Sequence, residues 1–346
     1  MKFGIIGSGS WGTALAKILT DNGAQISWWI RTEEAIQQFK ARGHNPHYLN
    51  AATFEIKQIS FSTEVQDVIH NSDVLLIAVP SAYVSEVLLS LPKNILSGKK
   101  ILSAIKGILP HENVLLNDFL STHFDFQIQN YFAVLGPCHA EEVAAEKLSY
   151  LTFSGINETD TKEIATHFNT NYIKTVVNKD IIGVQYAAVL KNIYALGAGI
   201  AHGLEYGDNF LSVLIANSAD EMAGFLRKAG IMNAEVGYID HENEVSSSHA
   251  HNNYAASVYL GDLLVTCYSL YSRNRTFGNM IGKGYSVKTA QLEMNMVAEG
   301  YNACKCMHFI NQQYNASMPI ASTIYKILWE QLQPRKGFEK IEKYLV

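Results

Sequence analysis

The stretch KFGIIGSGSWGT, residues 2–13, decides the fold of the first half of this chain. Residues 2–6 form a short apolar run that predicts a buried β-strand, and residues 13–19 have the apolar spacing of a helix. Between them stands the pattern Gly7-x-Gly9-x-x-Gly12. A glycine-rich turn that follows a strand and opens a helix is the context in which this pattern binds the pyrophosphate of a dinucleotide.

Each glycine has a separate role in such a turn. Gly7 permits the tight turn, Gly9 lets the backbone approach the pyrophosphate, and Gly12 lets the helix pack closely on the strand. The N–H groups at the start of the helix then face the bound anion. A second strand is predicted over residues 25–30, so the first thirty or so residues are expected to build one cofactor site.

The residue after this second strand bears on the choice between NAD and NADP. An NAD-specific site usually carries Asp or Glu there to bind the ribose hydroxyls, whereas this chain has Arg31, followed by Glu33 and Glu34. Arg31 is expected either to contact a 2′-phosphate or to stack on the adenine. A solvated charge at the strand end is the alternative.

Apolar runs and helical segments alternate in the first half of the chain. Residues 73–79, 100–104 and 131–135 form near-continuous apolar runs, typical of strands buried on both faces. Strands that alternate with helices predict a parallel sheet with crossover helices. We therefore expect an α/β fold with a Rossmann-like, doubly wound, mostly parallel sheet in residues 1–180.

The pattern changes after about residue 178. Residues 184–201, 210–229 and 289–312 have helical spacing, and strand-like runs become few. A second domain, all-helical, is predicted over residues 181–346. Two domains also suit a length of 346 residues.

Composition excludes several classes of protein. With 48% apolar residues, 17% charged residues and a net charge of −5, the chain offers no general attraction to nucleic acid or to an anionic membrane. Glycines interrupt the apolar N-terminus too early for a signal peptide or a membrane span. We expect a cytoplasmic protein.

Cysteines and histidines give no metal-binding pattern. The four cysteines contain no CxxC pair and are interpreted as reduced thiols; they are Cys138, Cys267, Cys304 and Cys306. His241, His249 and His251 stand in the polar stretch 240–253, which favours a solvated loop over a metal site. No metal is expected.

Lys191 is the one charged residue in the apolar helical stretch 184–201. A buried ammonium needs a partner or a water-lined cleft, and partial desolvation lowers the pKa of a lysine so that it can exchange protons near neutral pH. The residues on the same helix face are alanines, at positions 187, 188, 195 and 198, which would leave space for a small substrate and a nicotinamide ring. A lysine that reaches the surface is the alternative.

Three further features are candidates for the chemistry. Asp262 lies in an apolar segment and is the candidate partner of Lys191, although an ordinary first-turn Asp fits as well. Lys106 follows a predicted strand, where side chains of doubly wound sheets face the ligand crevice; an ordinary loop lysine is the alternative. Residues 272–275 (SRNR) form the densest donor cluster, and arginine forks suit a phosphate; a solvated loop is the alternative.

Taken in order, the motifs resemble those of the NAD(P)-dependent glycerol-3-phosphate dehydrogenase family, bacterial type. The resemblance covers nearly the whole chain. It rests on GSGSWGTALA (7–16), AVPS (78–81), SAIKG (103–107), LGPCHAEEVA (135–144), VLKNIYA (189–195), GDNFLSVLIANSADEM (207–222), GDLLVTCYS (261–269), SRNRTFG (272–278) and VAEGYNA (297–303).

The resemblance implies reduction of dihydroxyacetone phosphate to sn-glycerol 3-phosphate with NAD or NADP, in a homodimer that supplies phospholipid synthesis. It implies that Lys191 is the general acid/base, that Lys106 polarises the substrate oxygen and that Asp262 supports the site. The implied substrate-binding residues are Lys106, Gly136, Cys138, Lys191, Asn192, Asp262, Thr266, Ser272, Arg273 and Asn274. The implied cofactor-binding residues are Gly7, Gly9, Ser10, Trp11, Gly12, Arg31, Lys106, Ala140, Arg273, Val297 and Glu299.

Two departures and two alternatives accompany this resemblance. Cys138 stands where the family usually has Ser or Thr, and a thiol is a weak donor, so its substrate contact is in doubt. His139 replaces a neighbour that is usually apolar. A β-hydroxyacid or ketopantoate-type dehydrogenase is the nearest enzymatic alternative, and a non-catalytic dinucleotide sensor is the alternative from another class.

Overall fold

A computed structural model describes residues 1–231, 256–294 and 298–346 of the chain. Contacts between Cα atoms divide it into two compact units, Met1–Ile181 and Ile182–Val346. We call these the N-terminal unit and the C-terminal unit. The predicted loop with His241, His249 and His251 lies outside the described residues, as does Val297.

The N-terminal unit is built around one eight-stranded sheet with the strand order β3-β2-β1-β4-β5-β6-β7-β8. All neighbouring strands are parallel except β6 and β7, which are antiparallel. The strands are β1 (Phe3–Ile6), β2 (Ile26–Trp29), β3 (Ile59–Ser62), β4 (Val74–Ile77), β5 (Lys100–Ser103), β6 (Tyr131–Leu135), β7 (Ser149–Gly155) and β8 (Ile173–Asn178). Its helices are α1 (Ser10–Asp21), α2 (Glu33–Arg42), α3 (Val65–His70), α4 (Ser81–Leu89), α5 (Leu116–Phe124), α6 (Ala140–Ala144) and α7 (Glu158–Thr166).

The position of β1 in this sheet determines where a ligand can bind. β1 lies between β2 and β4, so the chain leaves β1 on one side and returns on the other. Such a switch point opens a crevice at the carboxyl ends of the strands, where doubly wound sheets bind their ligands. The glycine turn follows β1 directly and therefore stands at this crevice.

The burial of the central strands matches their sequence. Every residue of β1, β4 and β6 is buried, as their uninterrupted apolar runs predicted. The predicted fold class, a mostly parallel doubly wound sheet followed by helices, is confirmed.

Among the described residues of the C-terminal unit, every secondary structure element is a helix. A π-helical turn, Ala256–Gly261, leads into α10. The helices are α8 (Ile181–Gly203), α9 (Asp208–Lys228), α10 (Asp262–Tyr268), α11 (Arg273–Gly282), α12 (Val287–Glu293), α13 (Glu299–Tyr314), α14 (Pro319–Trp329) and α15 (Pro334–Ile341). By length and composition α8 could cross a membrane, but 94% of its apolar window is buried inside the protein, as expected of a core helix.

Four glycines bring α8 and α11 into backbone contact. A Cβ added at Gly278 would lie 2.1 Å from the carbonyl oxygen of Leu196, and one at Gly199 would lie 2.1 Å from that of Arg275. Gly203 and Gly282 repeat this approach one turn further along. Because only hydrogen atoms separate the two backbones, any side chain at these positions must push the helices apart.

One prediction about the helices is wrong, and three strands were not predicted. The single helix expected over residues 289–312 is two helices, since α12 ends at Glu293 and α13 begins at Glu299. A long-range contact explains the restart: the Asn274 side chain accepts a hydrogen bond from the Gly300 amide in the first turn of α13. Sequence analysis also missed the outer strands β3, β7 and β8, which are less apolar than the central strands.

Candidate active site

The glycine turn has the backbone geometry that its sequence predicted. Gly7 has φ = +125°, and a Cβ there would lie 2.6 Å from the Ala78 carbonyl carbon, so both its conformation and its space demand glycine. A Cβ at Gly12 would lie 2.4 Å from the Gly7 oxygen, which confirms the close packing of helix on strand. At Gly9, nothing lies within 4 Å of the added Cβ. The backbone there borders open space at the N-terminus of α1, where a pyrophosphate would fit.

Two side chains that sequence analysis missed brace this turn. The buried Trp28 indole donates a hydrogen bond of 3.1 Å to the Gly7 oxygen. Asn45, also buried, donates to the Ser8 oxygen at 3.0 Å and to Thr13 Oγ1 at 2.8 Å. Asn45 is 37 residues away from Ser8 in a loop, so no local pattern could have assigned it to the turn.

Arg31 lies just beyond the end of β2 and is exposed. The two carboxylates that follow it accept hydrogen bonds on their own helix: Glu33 accepts from Gln37, and Glu34 accepts from Gln38 at 3.1 Å. Thr32 caps the N-terminus of that helix through the amide of Ala35. Because Arg31 is exposed just beyond β2, a group bound at the carboxyl end of that strand could meet its guanidinium.

The carboxyl end of β5 brings Lys106 to the glycine turn. Lys106 lies three residues beyond β5, and its Nζ stands 4.7 Å from the centroid of the Trp11 ring. Trp11 is the second residue of α1 and precedes Gly12. Two of the predicted site residues are thus brought together within the N-terminal unit.

The loop between β6 and α6 is closely fitted around Gly136. Gly136 has φ = +132°, and a Cβ there would lie 2.8 Å from the Tyr150 oxygen. Cys138 is buried, and its thiol donates to that same oxygen at 3.3 Å. The Cys138 thiol therefore donates its hydrogen bond within the protein, which argues against a contact between this thiol and the substrate. Ala140 begins α6 and is buried.

Lys191 and Asp262 form an ion pair inside the C-terminal unit. Their side chains are only 4% and 1% exposed, so Lys191 does not reach the surface. Asp262 Oδ2 is buried and has no hydrogen-bond partner among the described residues, so this carboxylate keeps an unshared acceptor beside the ammonium. A carboxylate at contact distance offsets the cost of burying the ammonium. The alanines on the Lys191 face are themselves buried, and this face is packed rather than open.

Asn192, the neighbour of Lys191, belongs to a buried hydrogen-bond chain. The Asn274 amide donates to Asn192 Oδ1 at 2.9 Å and accepts from the Gly300 amide at 2.9 Å. Asn274 thus joins α8, α11 and the start of α13, where Glu299 is the first residue. Because both the nitrogen and the oxygen of the Asn274 side chain bond to protein groups, this residue helps to align the three helices.

The remaining donor residues stand within α10 and at the start of α11. Ser272 is the N-cap of α11 and accepts from the Arg275 amide at 3.3 Å, so Arg273 is the first residue of that helix. Thr266 donates to the Asp262 backbone oxygen at 2.5 Å. Cys267, next to it, is fully buried, and burial raises the pKa of its thiol to about 12, which leaves the thiol protonated.

A second buried acid, Glu221, was not predicted. It accepts from the amides of Ile320 and Ala321 at 2.7 and 2.9 Å, and from the Tyr194 hydroxyl at 3.1 Å. Desolvation raises the pKa of Glu221 to about 7, while the three donors oppose that rise. Since Tyr194 lies one turn beyond Lys191 on α8, Glu221 anchors this helix to the N-terminus of α14.

Comparison with known proteins gives one family for both halves of the chain. Residues 2–161 match the sequence model for the N-terminus of NAD-dependent glycerol-3-phosphate dehydrogenase, and residues 180–339 match the model for its C-terminus. The chain belongs to the glycerol-3-phosphate dehydrogenase family. The resemblance predicted from the motifs is therefore confirmed.

Relatives in this family match the chain over nearly its full length. The chain is 32% identical over 340 residues to the glycerol-3-phosphate dehydrogenase (NAD(P)+) of Oceanobacillus iheyensis, covering 98% of this chain and 93% of the relative. It is 32% identical over 341 residues to that of Bacillus subtilis, with the same coverage. The crystal structure of the Coxiella burnetii glycerol-3-phosphate dehydrogenase superimposes with a TM-score of 0.85 at 26% identity, over 98% of each chain.

Proposed function

We propose that this chain catalyses the NAD(P)H-dependent reduction of dihydroxyacetone phosphate to sn-glycerol 3-phosphate, a reversible hydride transfer. The observation that carries the proposal is the buried Lys191–Asp262 pair, set in the helical unit of a glycerol-3-phosphate dehydrogenase family member. A buried ammonium can serve as the general acid that donates the proton in such a reaction.

The N-terminal unit fits a nicotinamide dinucleotide. Gly9 borders open space at the N-terminus of α1, where the first amides and the helix dipole favour a pyrophosphate. Arg31 stands where the adenosine ribose of such a cofactor lies in sites of this fold. When bound, NADH or NADPH supplies the hydride for the carbonyl carbon of the substrate. The other proposed cofactor contacts are Gly7, Ser10, Trp11, Gly12, Lys106, Ala140, Arg273, Val297 and Glu299.

Lys191 supplies the proton. Its ammonium stabilises the negative charge that develops on the carbonyl oxygen and then donates a proton to the resulting alkoxide. Asp262 pairs with the Lys191 ammonium and fixes its direction. Asn192 is held by Asn274 at the next position of the same helix, so the proton donor and a polar neighbour are placed as one unit.

Substrate orientation is assigned to the cationic groups. Arg273 offers a planar donor fork for the phosphate, and Ser272 and Asn274 flank it at the start of α11. Lys106 is assigned to the substrate oxygen, and Gly136, Cys138 and Thr266 to its surroundings. We assign cofactor binding to residues 1–180 and substrate binding and catalysis to residues 181–346.

A turnover assay separates this function from its alternatives. The purified chain is given dihydroxyacetone phosphate with NADH or NADPH, and the loss of reduced cofactor is followed by absorbance. We expect turnover with dihydroxyacetone phosphate and none with ketopantoate. Turnover of ketopantoate alone would favour the carboxylate-substrate alternative, and cofactor binding without any turnover would favour a sensor.

The Arg273→Ala variant is expected to lose phosphorylated substrate selectively. Hydrogen bonds to charged groups contribute about 1.5–3 kcal/mol, so kcat/KM for dihydroxyacetone phosphate should fall at least about tenfold. Activity on unphosphorylated dihydroxyacetone should barely change. The matched control is Arg227→Ala, an exposed arginine in the last turn of α9, which should leave both activities unchanged. Equal losses on both substrates for Arg273→Ala would assign this arginine to the fold instead.

The cofactor preference is expected to depend on Arg31. We expect the enzyme to accept both cofactors and to favour NADPH, because no carboxylate ends β2 to repel a 2′-phosphate. Arg31→Ala should raise KM for NADPH more than KM for NADH, because only NADPH loses a charge-assisted contact. Steady-state kinetics at low salt measures this, since exposed contacts are screened within about 10 Å at 0.1 M.

Exposed Arg42, in the last turn of α2, provides the control for this experiment. Arg42→Ala should change neither KM. A wild-type enzyme that strictly prefers NADH contradicts the NADPH assignment. An Arg31→Ala variant that loses both cofactors equally indicates stacking of Arg31 on the adenine, which both cofactors share.

We further propose that the enzyme is a cytoplasmic homodimer that supplies glycerol phosphate for phospholipid synthesis. These assignments rest on the family resemblance. Light scattering of the purified chain tests the dimer, and a mass of about one chain would exclude it.

A further inference from the structure

The contact between Trp11 and Lys106 joins two parts of the N-terminal unit. Lys106 Nζ stands 4.7 Å from the ring centroid of Trp11, within the distance of about 6 Å at which a cation is attracted to an aromatic face. Trp is the strongest such partner among the aromatic residues. Both side chains are half-buried, so water screens the attraction only in part.

The two partners differ in rigidity. Lys106 carries its ammonium on a four-carbon stem beyond the end of β5, and a stem of this length has many possible rotamers. Trp11 has two side-chain torsions, and its ring packs against the buried core of the sheet. Its backbone is fixed by α1 and by the adjacent Gly12, which contacts the Gly7 oxygen. The indole is therefore a fixed surface against which the ammonium of Lys106 lies.

We propose that Trp11 is a positioning residue for Lys106: its indole face holds the ammonium at the place from which it reaches the substrate oxygen. This inference rests on the proposed function, in which Lys106 acts on that oxygen. The position between Ser10 and Gly12 in the dinucleotide motif thereby serves catalysis as well as cofactor binding. Trp11 thereby links cofactor binding at the glycine turn to the placement of Lys106.

Trp11 could instead act only as a wall of the cofactor site. The two roles predict different energetic coupling between substitutions of Trp11 and Lys106. If Trp11 acts through Lys106, its substitution has no further effect once the ammonium is gone. If Trp11 acts only on the cofactor, its substitution costs the same factor whether Lys106 is present or not. A double-mutant cycle measures this difference.

The cycle uses Trp11→Leu, Lys106→Met and the double variant, with Trp11→Phe as the conservative change. We expect kcat/KM for dihydroxyacetone phosphate to fall about threefold to thirtyfold in Trp11→Leu, and less in Trp11→Phe, which keeps an aromatic face. These kcat/KM values are measured at saturating NADPH, so that a loss of the cofactor contact of Trp11, which is followed separately as the Kd for NADPH by calorimetry, does not enter them. In the Lys106→Met background, measured by single turnover, Trp11→Leu should have almost no further effect. Equal losses in both backgrounds would overturn the proposal.

Lys305 provides the matched control, because its Nζ lies 4.8 Å from the Trp329 ring centroid in a similar contact and its side chain is exposed. Lys305→Met should leave kcat/KM unchanged. A loss equal to that of Trp11→Leu would mean that removing any such contact disturbs the enzyme, which contradicts a specific role for Trp11.

A second readout does not depend on activity. In protein labelled with ¹³C at lysine Cε, the resonance of Lys106 is identified by its loss in Lys106→Met. The ring current of Trp11 should shift it upfield, and Trp11→Leu should return it to the position of exposed lysines. A resonance that Trp11→Leu leaves in place would overturn the proposal. A shifted resonance in a protein that does not reduce dihydroxyacetone phosphate would instead overturn the proposed function, leaving the contact intact.

Discussion

Lys191→Met is expected to abolish turnover while the cofactor still binds. Loss of one well-placed acid/base group commonly costs about 10²–10⁴ in rate, and Lys191 also stabilises the developing oxyanion. Methionine keeps an unbranched chain of similar length, so packing along α8 changes little. NADPH affinity by calorimetry should stay near that of the wild type. A kcat within a few-fold of wild type would show that Lys191 is not the proton donor.

The same change leaves a buried carboxylate without its partner. Asp262 is 1% exposed, and breaking a buried pair by removing one member costs about 3–5 kcal/mol. Lys191→Met should therefore also unfold at a lower temperature. Combining it with Asp262→Asn removes the unpaired charge, so we expect much of the stability to return while turnover remains lost. Recovery of turnover in the double variant would assign the loss to instability instead of chemistry.

Gly278→Ala is expected to give the second largest effect, on both stability and activity. The new methyl group would lie 2.1 Å from the Leu196 oxygen, a backbone atom of α8 that cannot rotate away. Overpacking of this kind costs about 1–3 kcal/mol and occasionally more. The helices must separate, which shifts Asn274 on α11 relative to Asn192 on α8. Because a misplacement of about 1 Å can cost 10²-fold, kcat/KM should fall by about that factor.

Gly224→Ala is the matched control for this prediction. Gly224 lies inside α9, and nothing lies within 4 Å of an added Cβ. Alanine there should stabilise the protein by about 0.5–1 kcal/mol, since glycine is the poorer helix former. Thermal unfolding and steady-state kinetics of both variants give the comparison. A Gly278→Ala enzyme with wild-type melting temperature and activity would contradict the tight α8–α11 crossing.

The sequence alone determined the features that depend on local pattern. The glycine turn between β1 and α1 was predicted because its glycines are required by local geometry. The structure shows this at Gly7 and Gly12, where an added Cβ would clash with nearby backbone atoms. The central strands were predicted because a strand buried on both faces must be apolar throughout. A lone charge in an apolar helix required a partner, and Asp262 was named as the candidate that the structure pairs with Lys191.

Only the tertiary structure decided the contacts between distant segments. Asn45 braces the glycine turn from 37 residues away, and Asn274 links three helices through one amide. The contact of buried Glu221 with the first turn of α14 and the close crossing of α8 and α11 at their glycines are also contacts between distant segments. Each of these positions carries a residue type that is ordinary in its own neighbourhood. The role of each residue depends on where another segment of the chain passes, and neither hydrophobic periodicity nor local propensity predicts that path.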